Sequence, residues 1–135
     1  MPLLRRVFDA SQVTELRHRV AVQVEAAGLR GQRLDDFVLA VNELITNAVR
    51  HGGGCGRLQL WRDVEAVVCE VSDHGPGISE SRLDDPRRPP PHAVGGWGLW
   101  LIRQLVRDVA VRTGPAGTTV RISARVDGAT TRSDR

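Results

Sequence analysis

Apolar residues recur every three or four positions in the first third of the chain, which is the spacing of amphipathic helices. They do so over residues 13–27 and again over residues 34–48. Asp9 and Ser11 precede the first run as alternative N-cap candidates, and Gly28 follows it as a candidate C-cap. The pattern predicts two helices with a shared core, the second beginning after Gly31 and ending at His51.

Alternation of apolar and polar residues, which is typical of half-buried strands, appears in three other stretches. Residues 3–8 form a candidate short strand at the N-terminus. Residues 58–71 contain two alternating runs around a turn at residues 63–65, and residues 109–126 contain two more around residues 114–117. The alternation therefore predicts two antiparallel hairpins that pack against the helices.

The two hairpins are separated by a loop and a third helix. Residues 78–94 include three consecutive prolines, which are incompatible with a regular helix or a central strand. Leu99, Ile102 and Leu105 then repeat at helical spacing. We predict an α+β sandwich with a single domain over residues 1–126, followed by a polar tail at residues 127–135 that frays.

Composition narrows the class of protein. No apolar run approaches the roughly 18 residues of a membrane span, and no signal-peptide pattern follows the N-terminus, so we expect a cytoplasmic protein without a membrane partner. The net charge is only +3 and the basic residues are dispersed, so we expect no direct nucleic-acid partner. The sequence contains no lysine, which excludes a Walker A site and Schiff-base chemistry.

Candidate chemistry begins on the second predicted helix, where Glu43 and Asn47 are four residues apart. Four residues make about one helical turn, so the carboxylate and the amide point the same way and can share one Mg²⁺, water or phosphate. Arg50 lies on the same side, opposite the apolar side of the helix. A polar side that merely faces water has the same spacing, so this pattern alone leaves both interpretations open.

Asp73 ends the first predicted hairpin and keeps the parity of its inward-facing residues. A buried carboxylate without donors is costly, so Asp73 needs a hydrogen-bonding partner. Gly75 and Gly77 follow it, and further glycines at residues 95–98 precede the third helix. Glycine permits close backbone approach and a helix N-terminus favours phosphate, although the spacing is not that of a Rossmann fingerprint.

Four short motifs occur in a fixed order along residues 7–124: Glu43-x-x-x-Asn47, Asp73-x-Gly75-x-Gly77, Gly96-x-Gly98-Leu99 and Gly117-Thr118-Thr119. This order resembles the N, G1, G2 and terminal Thr boxes of the Bergerat-fold (GHKL) ATPases. Within that superfamily, residues 42–52 and the sequence Gly98-Leu99-Trp100 look most like the bacterial anti-sigma-factor serine kinases. The resemblance implies a mixed, largely antiparallel sheet covered by a layer of helices.

The resemblance also implies ATP and Mg²⁺ as ligands and gives each motif a role. Glu43 would act as general base, Asn47 would hold Mg²⁺, and Asp73 would accept from the adenine amino group. Arg87 and Arg88 are lid candidates that would reach the γ-phosphate or simply face water. The remaining nucleotide-binding residues implied by the boxes are His51, Gly75, Gly77, Ile78, Gly96, Gly98, Leu99 and Thr118.

As a function, the resemblance implies a serine kinase that binds a sigma factor and phosphorylates an anti-anti-sigma (STAS-like) protein. A nucleotide-gated binding module without phosphotransfer and the catalytic domain of a split histidine kinase are the alternatives. The resemblance further implies a homodimer through the N-terminal strand and first helix, where Leu3, Leu4 and Val7 would contribute. A short edge strand packed on its own sheet explains those residues equally well.

Overall fold

A five-stranded sheet organises the computed structural model, which describes residues 1–75 and 97–126. The strand order is β1-β2-β3-β5-β4, and all four pairings between these strands are antiparallel. The predicted α+β architecture is therefore confirmed. The strands are β1 (Pro2–Asp9), β2 (Cys55–Arg62), β3 (Ala66–Ser72), β4 (Asp108–Gly114) and β5 (Gly117–Arg125).

Within the described residues, three helices accompany the sheet: α1 (Val13–Ala26), α2 (Gly31–His51) and α3 (Trp97–Leu105). The middle one, α2, contacts both α1 and α3 and also reaches β2, β3 and β5. Its apolar side is the centre of the core, because Phe37, Val41 and Ile45 are fully buried. Glu43 and Asn47 lie on the opposite side of α2, so their polar side chains are not part of this apolar core.

The bounds of α2 agree with the prediction, and α1 differs only at its start. A 3-10 turn at Ala10–Gln12 precedes α1, and Asp9 caps it by accepting from the Ser11 backbone N–H at 2.9 Å. Hydrogen bonds from Ser11 lower the pKa of the Asp9 carboxyl. The segment directly after the Asp9 cap is thus a 3-10 turn, and the α-helix begins at Val13, which is the first residue of the apolar repeat.

Both predicted hairpins are confirmed by their registers. Leu58 pairs with Val71 across β2 and β3, and Thr113 pairs with Thr118 across β4 and β5. The Asp63 carboxylate closes the first hairpin by accepting from the backbone N–H groups of Glu65 and Ala66 at 2.9 and 2.8 Å. These turns place the end of β3 beside the start of β5, where the candidate site lies.

The N-terminal strand pairs with β2 along nearly its whole length, and Leu4 and Phe8 are buried in the core. Val7 is 66% exposed, so only some of the apolar side chains of this strand are buried in the core. The homodimer through this strand stays a prediction. The predicted loop at residues 78–94 and tail at residues 127–135 lie outside the described residues. Within the described parts of the chain, no helix is long and apolar enough to cross a membrane.

Candidate functional site

Asp73 lies directly after β3, at the point where three segments of the chain meet. Its Oδ1 accepts from the Gly75 N–H at 2.9 Å and from the Thr118 N–H at 3.3 Å. The Asp73 N–H in turn donates to the Thr118 carbonyl at 2.8 Å. Oδ2 accepts from none of the described residues. The half-buried carboxylate thus has one oxygen fixed by the backbone and one available to a ligand.

Two glycines allow the end of α2 to contact the Asp73 turn closely. A Cβ at Gly52 would lie within 3.0 Å of the Asp73 carboxyl group, and a Cβ at Gly75 would lie equally close to the His51 carbonyl. The His74 N–H donates to the Gly52 carbonyl at 3.3 Å. The absence of side chains at these two positions therefore fixes the last turn of α2 against Asp73.

Thr118, on β5, belongs to the third segment that meets at Asp73. Among the described residues, it is the one polar residue that is buried. Its Oγ1 lies 2.8 Å from the Thr113 Oγ1 across the β4–β5 pair. Gly117 has a φ of 144°, and a Cβ there would overlap the Asp73 carbonyl. Thr118 alternates with the buried Val120 and Ile122 and therefore faces inward, and the glycine before it brings β5 close to Asp73.

The predicted polar residues Glu43, Asn47 and Arg50 all lie on α2, and His51 continues the four-residue spacing of the first two to form a polar stripe of Glu43, Asn47 and His51. Glu43 and Asn47 are half-buried and His51 is exposed. Neither Glu43 nor Asn47 has a side-chain hydrogen bond or ion pair with any residue that the structure describes. Because His51 and Gly52 contact the Asp73 turn, the stripe leads along one helix from Glu43 to the Asp73 corner.

The start of α3 contributes two further predicted residues. Gly98 lies in the first turn of this helix, and Leu99 is buried, with 8% of its surface exposed. The predicted site residues Gly77, Ile78, Arg87, Arg88 and Gly96 lie outside the described part of the chain.

Two contributors to this region were missed by sequence reasoning. Gly52 directly follows the predicted end of the second helix at His51, and it makes room for the Asp73 carboxylate. Arg17 of α1 reaches across to α2, where its Nη2 donates to the Thr46 Oγ1 at 2.8 Å. A charged residue inside an apolar helix run was the only available signal for Arg17, and its partner is 29 positions away in the sequence.

The side-chain oxygens of Glu43 and Asn47 are of the kind that binds a magnesium ion. Mg²⁺ prefers oxygen ligands and usually binds one or two protein oxygens together with phosphates and waters. Asn47 offers an amide oxygen without a protein partner among the described residues, and Glu43 adds a carboxylate one turn away. No group of three His, Cys, Asp or Glu side chains in residues 1–75 and 97–126 is arranged to hold a metal.

Cys69 is buried in β3, away from this stripe of polar residues. Burial raises the pKa of the Cys69 thiol, which keeps that residue protonated and apolar in character.

Comparison with known proteins identifies the class to which this fold and site belong. A family model described as a histidine kinase-like ATPase domain matches residues 7–124, which is most of the chain. The chain therefore belongs to this family of GHKL-type ATPase domains, and the resemblance seen in the sequence motifs is confirmed.

Among curated proteins, the sensor protein SphS of Synechococcus elongatus is 33% identical over 99 residues, covering 61% of this chain and 24% of SphS. Among solved structures, the RsbU and RsbW domains of Rv1364c from Mycobacterium tuberculosis have a TM-score of 0.67 at 21% identity, over 93% of this chain and 32% of that one. The histidine kinase domain of the Erythrobacter litoralis EL346 blue-light activated histidine kinase has a TM-score of 0.56 at 25% identity, over 88% and 67% of the two chains. The chain thus spans about a quarter of SphS and a third of Rv1364c, and the structural matches support the fold.

Proposed function

We propose that this protein binds ATP with Mg²⁺ at the site between Asp73 and Glu43 and acts as an anti-sigma-factor-type serine kinase. The observation that carries the nucleotide assignment is the Asp73 carboxylate. Its Oδ1 is already occupied by two backbone donors, while Oδ2 accepts from none of the described residues. The N6 amino group of adenine is a donor of the kind that this oxygen lacks, and guanine has an acceptor at the corresponding position.

The geometry around Asp73 supports a flat ligand at this corner. Glycines at positions 52, 75 and 117 keep Cβ atoms away from the carboxylate and the adjoining backbone. Thr118 presents a hydroxyl from the next strand and already contacts Thr113, so it supports the base through water. An adenine ring at Asp73 would place the triphosphate toward Asn47, because the last turns of α2 join the two residues.

Glu43 and Asn47 take separate roles in the proposed transfer. The Asn47 amide oxygen would hold Mg²⁺, and the bound ion would supply electrostatic stabilisation of the phosphates. The Glu43 carboxylate accepts the hydroxyl proton of the partner's serine as the serine oxygen forms a bond to the γ-phosphorus. The bond from that phosphorus to the β-phosphate oxygen breaks, and ADP leaves.

Serine is the proposed acceptor because the motifs of α2 and the start of α3 resemble the anti-sigma-factor kinases, and an RsbW-containing chain has the same fold. The proposed partners are a sigma factor and an anti-anti-sigma protein with a STAS-like fold. A second candidate is the catalytic domain of a histidine kinase, which the similarity to the sensor protein SphS favours. A nucleotide-gated binding module is the third, since it needs the same ATP site without the transfer.

The nucleotide site is tested by calorimetric titration of the full chain with ATP. Asp73→Asn keeps an acceptor for Gly75 and Thr118 but replaces the second oxygen with a donor, so ATP affinity should fall about 10- to 100-fold. Inosine triphosphate, which has an acceptor in place of the amino group, should be affected less. Asp63→Asn is the matched control, because Asp63 also accepts two backbone N–H groups in a turn. Equal ATP affinity in both variants would refute the assignment.

The transfer is tested separately with radiolabelled ATP, Mg²⁺ and a candidate anti-anti-sigma protein. We expect acid-stable phosphoserine on the partner and loss of at least 100-fold in rate for Glu43→Gln, with ATP binding retained. Acid-labile, alkali-stable phosphate on a histidine of a partner kinase chain would support the histidine kinase instead. Partner regulation that is unchanged in Glu43→Gln would identify the nucleotide-gated binding module.

A further inference from the structure

An open groove of about 400 Å³ runs between α1 and α2. Val22 of α1 and Leu39 of α2 line it, and these two side chains are 51% and 42% exposed. None of the residues assigned above to nucleotide or metal lines this groove. Exposed apolar side chains that meet across a helix pair are a typical docking surface for an apolar ridge of another helix.

Four polar residues line the groove, namely His18, Glu25, Asp35 and Asn42. Neither of the two carboxylates has an ion-pair partner among the described residues. The buried Oδ1 of Asn42 accepts no hydrogen bond from the described residues. None of the described lining residues is an arginine, although the whole chain carries a net charge of +3. The groove is therefore a locally acidic, apolar surface on a basic protein.

We propose that this groove binds an amphipathic helix of another protein, in which arginine or lysine residues flank an apolar ridge. The apolar ridge would cover Val22 and Leu39 and remove them from water. The flanking cations would pair with Glu25 and Asp35. Charge complementarity selects this occupant over an acidic helix, whose carboxylates would oppose those of the groove.

Helix capture by the groove requires neither ATP nor Glu43, so its test is independent of the kinase proposal. A display library of 18-residue helical peptides, with a fixed leucine and alanine ridge and randomised flanking positions, is selected against the full chain without nucleotide. We expect enrichment of arginine and lysine at the flanking positions. The best peptide is then synthesised and its affinity is measured by fluorescence anisotropy.

The groove variants Glu25→Arg and Asp35→Arg, combined in one chain, should weaken the selected peptide at least tenfold and should enrich glutamate and aspartate in a repeated selection. Leu39→Ser should weaken it by a similar factor. Glu15→Arg is the matched control, because Glu15 is an exposed carboxylate of α1 that does not line the groove. This variant should bind the selected peptide with an affinity within twofold of the wild type. Circular dichroism checks that each variant is folded.

Three outcomes would overturn this inference. The first is a selection that enriches no charge at the flanking positions, and the second is a selected peptide that binds the charge-reversed groove as well as the wild type. The third is a chain that dimerises in sedimentation equilibrium and becomes monomeric on Leu39→Ser, because a second copy would then occupy the groove.

Discussion

The two ends of the candidate nucleotide site are built in different ways. At the Asp73 end, the carboxylate is held by backbone N–H groups, and glycines from three segments of the chain allow these segments to pack closely around the Asp73 turn. At the Glu43 end, the side chains project from one helix and have no hydrogen-bonding partners among the described residues. One end is fixed by the fold before any ligand binds, whereas the other depends on the ligand for its partners.

Because the two ends are built differently, they should recognise different parts of the ligand and respond differently to substitution. A rigid carboxylate with a single open oxygen recognises one donor and so selects a base. An unpaired carboxylate and amide on a helix surface can adjust to a metal, phosphates and an incoming hydroxyl. Substitutions at the Asp73 corner should therefore damage folding and binding together, while those on the stripe should affect ligand chemistry with little change in stability.

The largest effect is expected for Gly117→Ala. The new Cβ would overlap the Asp73 carbonyl, and the φ of 144° is unfavourable for alanine. Steric overlap and backbone strain together should lower the free energy of unfolding by about 3 kcal/mol, measured by urea denaturation, and should weaken ATP binding.

Gly114→Ala is the control for this prediction, because Gly114 begins the same β4–β5 turn but has no atom within 4 Å of a new Cβ. Its unfolding free energy should stay within about 0.5 kcal/mol of the wild type. A loss of the same size in both variants would show that the turn itself is responsible, and the contrast between the two ends of the site would no longer hold.

On the stripe, Asn47→Ala should abolish most of the increase in ATP affinity that Mg²⁺ provides, with a loss of about tenfold in the presence of the ion. Without Mg²⁺ the variant and the wild type should bind ATP equally. The side chain makes no hydrogen bond to the described residues, so the melting temperature should change little.

Calorimetry with and without Mg²⁺ measures this dependence, and Gln32→Ala serves as the control because it removes another amide of α2 at the far end of the helix. If Asn47→Ala weakened ATP binding equally with and without the ion, Asn47 would contact the nucleotide itself and not the metal.

Much of this architecture was predictable from local patterns. The bounds of α2 followed from its apolar repeat and from Gly52, and the inward side of Thr118 followed from alternation with Val120 and Ile122. Both properties depend on neighbours in the sequence, whose geometry is fixed by the period of a helix or strand. The order of four motifs was sufficient to indicate the family that the comparison then confirmed.

Other parts of the site could not be predicted because they depend on non-local contacts. The space that Gly52 leaves for Asp73 exists only once the end of α2 has docked against the end of β3. The two donors to the Asp73 Oδ1 come from Gly75, which is local, and from Thr118, which is 45 residues away. Sequence reasoning correctly required a partner for this carboxylate, but only the fold shows that the protein supplies part of it.

A smaller effect on the free energy of unfolding is expected at the contact between α1 and α2. The Arg17 guanidinium is partly buried and its Nη2 donates to the Thr46 Oγ1, while its buried Nε donates to none of the described residues. Thr46→Val removes the acceptor and should lower the free energy of unfolding by about 1 kcal/mol, measured by urea denaturation. Thr14→Val, on the exposed side of α1, should have a much smaller effect. Equal losses would mean that the Arg17–Thr46 hydrogen bond contributes nothing.

The smallest effect concerns Asp63, which resembles Asp73 in accepting two backbone N–H groups but is fully exposed and not enclosed by glycines. The hydrogen bonds from Glu65 and Ala66 lower its pKa below the ordinary value of 3.8. The unfolded chain therefore binds this proton at higher pH than the folded chain does, and Asp63 stabilises the fold above pH 3.8. That contribution disappears as the pH falls through the folded pKa. In urea denaturation, Asp63→Asn should be less stable than the wild type at pH 7, and the gap should narrow steadily toward pH 2.5. A gap that stays constant would show that the turn depends on geometry and not on the charge of the carboxylate.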